Sequence, residues 1–213
     1  MAKTRSYRLL CPIARALDRI GDRWTLLLLR DLHAGPARFG EIAAGLPGLA
    51  TNLLTTRLEK MQADGLIRRR SAEHGVVVYE LTEEGERTAP VLFELARFAG
   101  PMPEERRKPG HLRLMVVTVK EALRRAGSDA SWHVEMFVDG EPFAIDVEGA
   151  QVQVRYAAHP EAPLSFAIDY EALMELTDGK MNPREFSARH LRVSRGTKRA
   201  AGALLGLVAR GLH

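Results

Sequence analysis

Apolar positions in the first hundred residues recur at helical spacing, and the interruptions between them fall at residues that stop helices. Residues 12–20 predict a short helix, and Asp22 caps a strongly apolar one carrying Trp24, Leu27, Leu28 and Leu32. Gly35-Pro36 ends it. A third helix over 38–46 turns Phe39, Ile42 and Ala43 inward and closes at Leu46-Pro47-Gly48. A fourth is capped at Thr51 or a neighbour and runs to about Asp64, where Gly65 stops it. The beat then changes to strands, over 66–70 and 76–81, joined tightly at Glu73-His74-Gly75. Thr82 caps a last helix to about Phe98, striped by Val91, Leu92, Leu95 and Phe98. Helix, helix, turn, helix and two-stranded ribbon is the order of a winged helix-turn-helix.

The fourth helix raises a question of its own. At 100° per residue Leu54, Leu58 and Met61 fall within about 60° of one another, flanked by Leu53. Opposite them lie Asn52, Thr55, Thr56 and Glu59. A face that only needs solvating is usually Lys, Glu and Arg, which favour helix; Asn and Thr do not. Short polar side chains let a helix approach a partner closely. Asn can bond adenine edges, and Thr offers a hydroxyl with a methyl for thymine. Arg57 lies to the side, in reach of a phosphate or a guanine, or else held in a structural ion pair. Of Arg68, Arg69 and Arg70 on the following strand, two share a face. Arg70 and His74 at the ribbon tip suit a minor groove or its phosphates. The candidate DNA contacts are therefore Arg38, Thr51, Asn52, Thr55, Thr56, Arg57, Arg68, Arg70 and His74.

Residues 100–110 hold three prolines, two glycines and five charges, and read as a linker. The expected domains are 1–99, a linker at 100–111, and 112–213. Beyond the linker the pattern predicts a helix over 112–126 and strands over 131–138, 142–148, 150–156 and 164–168. Helices over 170–177, 182–190 and 197–210 follow, with a short strand at 191–193. Hairpin chemistry such as Asp139-Gly140 makes the sheet mainly antiparallel, and the grouping makes the chain α+β.

Charge sharpens the division. Residues 1–108 carry 18 Lys and Arg against 14 Asp and Glu, and residues 109–213 carry 13 against 13. The whole surplus of +4 thus lies in the first half, as attraction to a polyanion requires. Within the second half, residues 109–178 have 5 basic against 12 acidic, and 179–213 have 8 against 1, which reads as two mutually attracting faces. No apolar run approaches a membrane span, so a cytoplasmic protein without membrane association is expected. The single cysteine, Cys11, permits no intrachain disulfide. No nucleophile elbow, phosphate loop or His-Glu-x-x-His is present, and the seven histidines are scattered without metal-ligand spacing. Neither an enzyme nor a cofactor nor a metal is expected.

The segments CPIARALDRIGDRWTLLLLRDLHAGPARFGEI, LPGLATNLLTTRLEKMQADGLI and YELTEEG resemble the HxlR-type winged-helix transcriptional regulators over about residues 7–99. The resemblance implies a homodimeric DNA-binding regulator of a double-stranded operator, dimerising through its N-terminal segment and the helix after the wing. It also makes Cys11 a candidate redox sensor, beside the plainer reading as a small buried hydrophobe. Residues 112–210, with DYEALMELTDGKMNPREFSARHLRV, resemble the sterol-carrier-protein family, although Ser194-Arg195-Gly196 departs from it after the last strand. That resemblance implies a sterol-carrier-like α/β sandwich with an apolar cavity for a hydrophobic small-molecule effector. Its candidate lining is Trp132, Met136, Phe143, Phe166, Leu173, Met174, Phe186, Leu204, Leu205 and Val208, residues that equally suit an ordinary core. Two functions remain: a regulator whose ligand alters DNA binding, and a constitutive one whose second domain only dimerises or recruits a partner.

Overall fold

Asp22 settles where the second helix begins, because its Oδ1 accepts from the Trp24 and Thr25 amides. In the computed structural model, which describes residues 6–72, 75–100 and 112–212, the chain divides into two compact units, Met1–Thr88 and Ala89–His213. The first unit holds α1 (Pro12–Ile20), α2 (Arg23–Leu32), α3 (Phe39–Gly45), α4 (Thr51–Ala63), β1 (Ile67–Ser71), β2 (Val77–Leu81) and the short α5 (Glu83–Glu86). Its core is Leu28, Leu29 and Leu32 of α2, Ile42 of α3 and Leu54, Leu58 and Met61 of α4. Arg19 ties the end of α1 to two elements at once, donating to the Asp64 carbonyl at 2.8 Å and to Glu84 at 2.7 Å. β1 and β2 pair antiparallel, and Ala37 bridges to Tyr79 on the other side of β2.

The single helix expected from Thr82 to Phe98 is in fact two. Thr82 caps α5, and a second helix, α6 (Ala89–Ala99), starts after Arg87 and Thr88. Pro90 explains the break: it lacks an N–H and its ring would strike the carbonyl four residues back, so it is tolerated only in the first turn of a new helix. The Thr88 hydroxyl meanwhile donates to the Gly85 carbonyl at 2.6 Å. α6 falls in the second unit, where it packs on α7 (Met115–Ala126). The sequence places this helix in the first domain and the boundary at 100–111; residues 101–111 of that linker lie outside the described residues.

The second unit continues with β3 (Trp132–Val138), β4 (Glu141–Glu148), β5 (Gln151–Arg155), β6 (Leu164–Ile168), α8 (Tyr170–Thr177), α9 (Pro183–Arg189), β7 (Arg192–Arg195) and α10 (Lys198–Leu212). Strand order is β5-β4-β3-β6-β7, parallel only between β3 and β6, so the sheet is mainly antiparallel as expected. Asp139 and Gly140, with φ of 50° and 86°, form the two-residue turn that makes β3 and β4 a hairpin. One face of the sheet buries Val134, Met136, Phe143, Ile145, Val147, Val152, Val154, Phe166 and Ile168, with α7 and α10 packed on this unit's sheet. The sign asymmetry read from the sequence is realised as ion pairs between late arginines and earlier carboxylates: Arg192 to Asp169 at 2.7 Å and Arg195 to Glu135 at 2.6 Å.

Candidate nucleic-acid interface

Leucines at positions 54 and 58 with Met61 fix the rotation of α4, and this turns Thr51, Asn52, Thr55 and Thr56 outward, all four exposed. Ala50, not Thr51, is the cap residue, so Thr51 is the first helical position. The Thr55 and Thr56 hydroxyls donate to the carbonyls of Thr51 and Asn52, four residues back, at 3.1 and 3.0 Å. Their hydroxyl protons are thus directed at the backbone, and the oxygens remain able to accept from a partner. Asn52 Oδ1 accepts from the Leu53 amide at 2.8 Å, leaving its NH₂ group to donate outward. Arg38 is exposed at the cap of α3, where its backbone N–H donates to Glu41 at 2.6 Å.

The arginines are more committed than the sequence indicates. Arg57 is half-buried and pairs with Asp22 Oδ2 at 2.9 Å, so the structural ion pair is the alternative observed. Asp22 therefore serves twice, capping α2 and anchoring α4. On β1, Arg68 and Arg70 share a face, as the strand period requires, and both reach Glu80 of β2, at 2.7 and 3.1 Å. The Arg68 hydrogen bond holds the Glu80 carboxyl below its ordinary range; burial opposes this, and Arg70 reinforces it. Arg69 is exposed on the opposite side, across from Tyr79. His74 lies outside the described residues. Glu80 is the site-shaping residue that pattern reading missed, and Asp22, expected as a helix cap, is also the partner of Arg57. The hairpin register that pairs Arg68 with Glu80 was the available signal for Glu80.

Of the apolar lining expected in the second unit, Met136, Phe143, Phe166, Leu173, Phe186, Leu204, Leu205 and Val208 are buried and Met174 is half-buried. An open groove of about 1410 Å³ lies elsewhere, between the end of α7, the 127–130 loop, α9 and one face of α10; of the ten expected residues only Trp132 lines it. Cys11 is half-exposed at the cap position of α1, not buried.

Residues 19–106 match the HxlR-like helix-turn-helix family. The HTH-type transcriptional regulator sll1512 of Synechocystis sp. is 33% identical over 98 residues, which is 45% of this chain and 73% of the relative. The chain belongs to the HxlR-like helix-turn-helix family. Another relative, the HTH-type transcriptional regulator YvaP of Bacillus subtilis, is 34% identical over 42% of this chain and 86% of its own length. The solved reduced form of the transcriptional regulator YodB from B. subtilis is similar at 28% identity, covering 48% of this chain and 100% of that one with a TM-score of 0.39. This HxlR-like protein is accordingly a transcriptional regulator with a helix-turn-helix DNA-binding domain, a non-enzymatic class. The family match ends at residue 106, before the sheet of the second unit begins. No helix among the described residues is long and apolar enough to cross a membrane.

Proposed function

We propose that this HxlR-like regulator is a cytoplasmic homodimer that seats α4 in the major groove of an operator, with Asn52, Thr55 and Thr56 on base edges. Arg38 and Thr51 hold the backbone beside them, and the ribbon carrying Arg68, Arg70 and His74 lies along the phosphates. The observation that carries this is the N-terminal half of the exposed face of α4, where Thr51, Asn52, Thr55 and Thr56 are short and uncharged on the side opposite the buried leucines. Arg57 acts here mainly as the strut that holds α4 to Asp22.

An operator selected from a random duplex library supplies the test. Asn52→Ala and Thr55→Ala should each weaken binding to that operator roughly 10-fold or more, since a base contact is worth about 1–3 kcal/mol, with nonspecific binding and melting temperature unchanged. Arg57→Ala should instead cost about 1–2 kcal/mol of stability. Unchanged operator affinity in the Asn52/Thr55 double variant would remove α4 from the interface.

The second unit, in the same proposal, is a sterol-carrier-like domain whose groove takes an elongated apolar effector against Trp132 and the Gly202 and Gly206 face of α10. Such a ligand regulates only if it binds one state of the dimer better than another. The constitutive reading draws its support from the burial of eight of the ten expected lining residues, which suits an ordinary packed core. Thermal shift with long-chain fatty acids separates the two: a saturable rise in melting temperature supports an effector, and none across the series supports the constitutive regulator.

A further inference from the structure

The solvent face of the second unit's sheet carries a constellation that DNA binding does not use. The turn at Asp139 and Gly140 sets the β3–β4 register so that His133 stands directly opposite Asp146. The loop between β5 and β6 brings His159 down onto the same carboxylate. His133 Nδ1 lies 3.0 Å and His159 Nε2 3.2 Å from Asp146 Oδ1, and the three atoms are within 4.8 Å of one another. All three residues are half-buried.

We propose that His133, Asp146 and His159 bind a first-row divalent cation of the zinc type. Two imidazole nitrogens and one carboxylate oxygen are the donor set such an ion selects, with a fourth position left for water. With ligand bonds of about 2.0–2.1 Å, a tetrahedral ion spaces its ligand atoms roughly 3.3 Å apart. The observed 3.0 and 3.2 Å separations are close to that edge already, so the ion needs only a small outward shift of the two rings.

The surroundings hold the ligands in place, which is what converts a cluster into a site. Arg155 donates to the other Asp146 oxygen, Oδ2, at 2.6 Å, and fixes the carboxylate plane while leaving Oδ1 to the histidines. Glu148 Oε1 is 3.8 Å from His133 Nε2, the nitrogen that keeps its N–H when Nδ1 takes the metal, and a small side-chain shift would let it accept a hydrogen bond there. The His159 backbone is anchored independently, its N–H donating to Glu135 at 2.9 Å. Arg195 pins the same loop, donating to the Ala162 carbonyl at 2.8 Å and to Glu135 at 2.6 Å. A bound ion would therefore clip the β5–β6 loop to two strands of a sheet that lies outside the family match.

Zinc chloride titrated into chelator-stripped, full-length protein tests this, read by calorimetry and by mass under native conditions. One equivalent should bind, and His133→Ala or His159→Gln should weaken it by at least about tenfold while circular dichroism stays unchanged. Asp146→Asn keeps the oxygen but removes the charge, and should weaken binding too. His190→Gln, remote from the cluster, should leave it unaltered. Absence of saturable one-to-one binding in the wild type would overturn the site. So would equal affinity in the folded His133→Ala/His159→Gln double variant.

Discussion

Glu80 stands between two of the three wing arginines and sets how much positive charge the wing presents. Arg68 and Arg70 are largely exposed, while the Glu80 side chain they share is only 12% exposed. In water such pairs contribute about 0–1 kcal/mol each, so their main effect is on charge and direction. Replacing Glu80 by Gln releases one net positive charge toward the phosphates. The expected outcome is tighter binding to duplex DNA of any sequence at low salt. The slope of log affinity against log salt should steepen by roughly 0.9, the value for one more phosphate engaged. An unchanged slope would show that the wing arginines face no phosphate. The sign in acid follows from the same pairs. Because the folded carboxyl titrates below its unfolded value, Glu80 favours the folded state above the ordinary carboxylate range, and that contribution is lost as pH falls through the lowered value. Glu80→Gln should therefore flatten this part of the acid limb of a pH–stability curve.

Within elements, two glycines of α10 show how packing overrides propensity. A Cβ on Gly211 would meet the Ala122 carbonyl oxygen of α7 at 1.8 Å, whereas one on Gly206 meets nothing closer than the Arg210 guanidinium at 3.9 Å. Gly206→Ala should thus stabilise the second unit by about 0.4–1 kcal/mol, through the lower entropy of its unfolded chain. Gly211→Ala should destabilise it by about 3 kcal/mol, because two helix backbones must separate. Melting curves of the two variants check both signs, and equal shifts would mean that α7 and α10 are not in this close contact. The same helix explains what the sequence could and could not convey. Helical and strand periods located nearly every element, and the Asp139-Gly140 turn contained the information that His133 faces Asp146, had the register been counted outward from it. Periodicity also assigned Met136, Phe143 and Phe166 to an apolar face, but it cannot distinguish a filled face from a hollow one. The groove arises where side-chain volume is missing, along Gly202, Ala203 and Gly206 of α10, and its sequence signal is a stripe of small residues. His159 was beyond reach, since a loop's path over a sheet is fixed by long-range contacts such as Arg195 to Glu135.

At the scale of the whole molecule, the exposed large apolar side chains fall in two stretches of the chain, one in each unit. Among the described residues the exposed large apolar side chains are Tyr7, Leu9, Leu10, Ile13 and Leu17 in the first unit and Val91, Leu95 and Phe98 on α6 in the second. The stripe expected on α6 is thereby divided: Leu92 is buried, and the other three face outward. Leu10 and Phe98, at 107% and 90% exposure, have nothing to offset the hydration of their side chains in a single chain. Patches of this kind mark surfaces that another protein covers, and a second copy is the partner that a dimeric reading of an operator supplies. Two substitutions test the patches separately. Leu10→Glu and Phe98→Glu should each shift the sedimentation profile toward monomer, and the affected variant should lose most of its operator affinity, because two recognition helices no longer act through one linked binding event. Melting temperature of the wild type should also rise with protein concentration, as mass action requires of a dimer whose folding and assembly are coupled. If both variants sediment as the wild type does and melting is independent of concentration, these side chains do not hold a dimer together, and the two-helix docking of the operator fails with them.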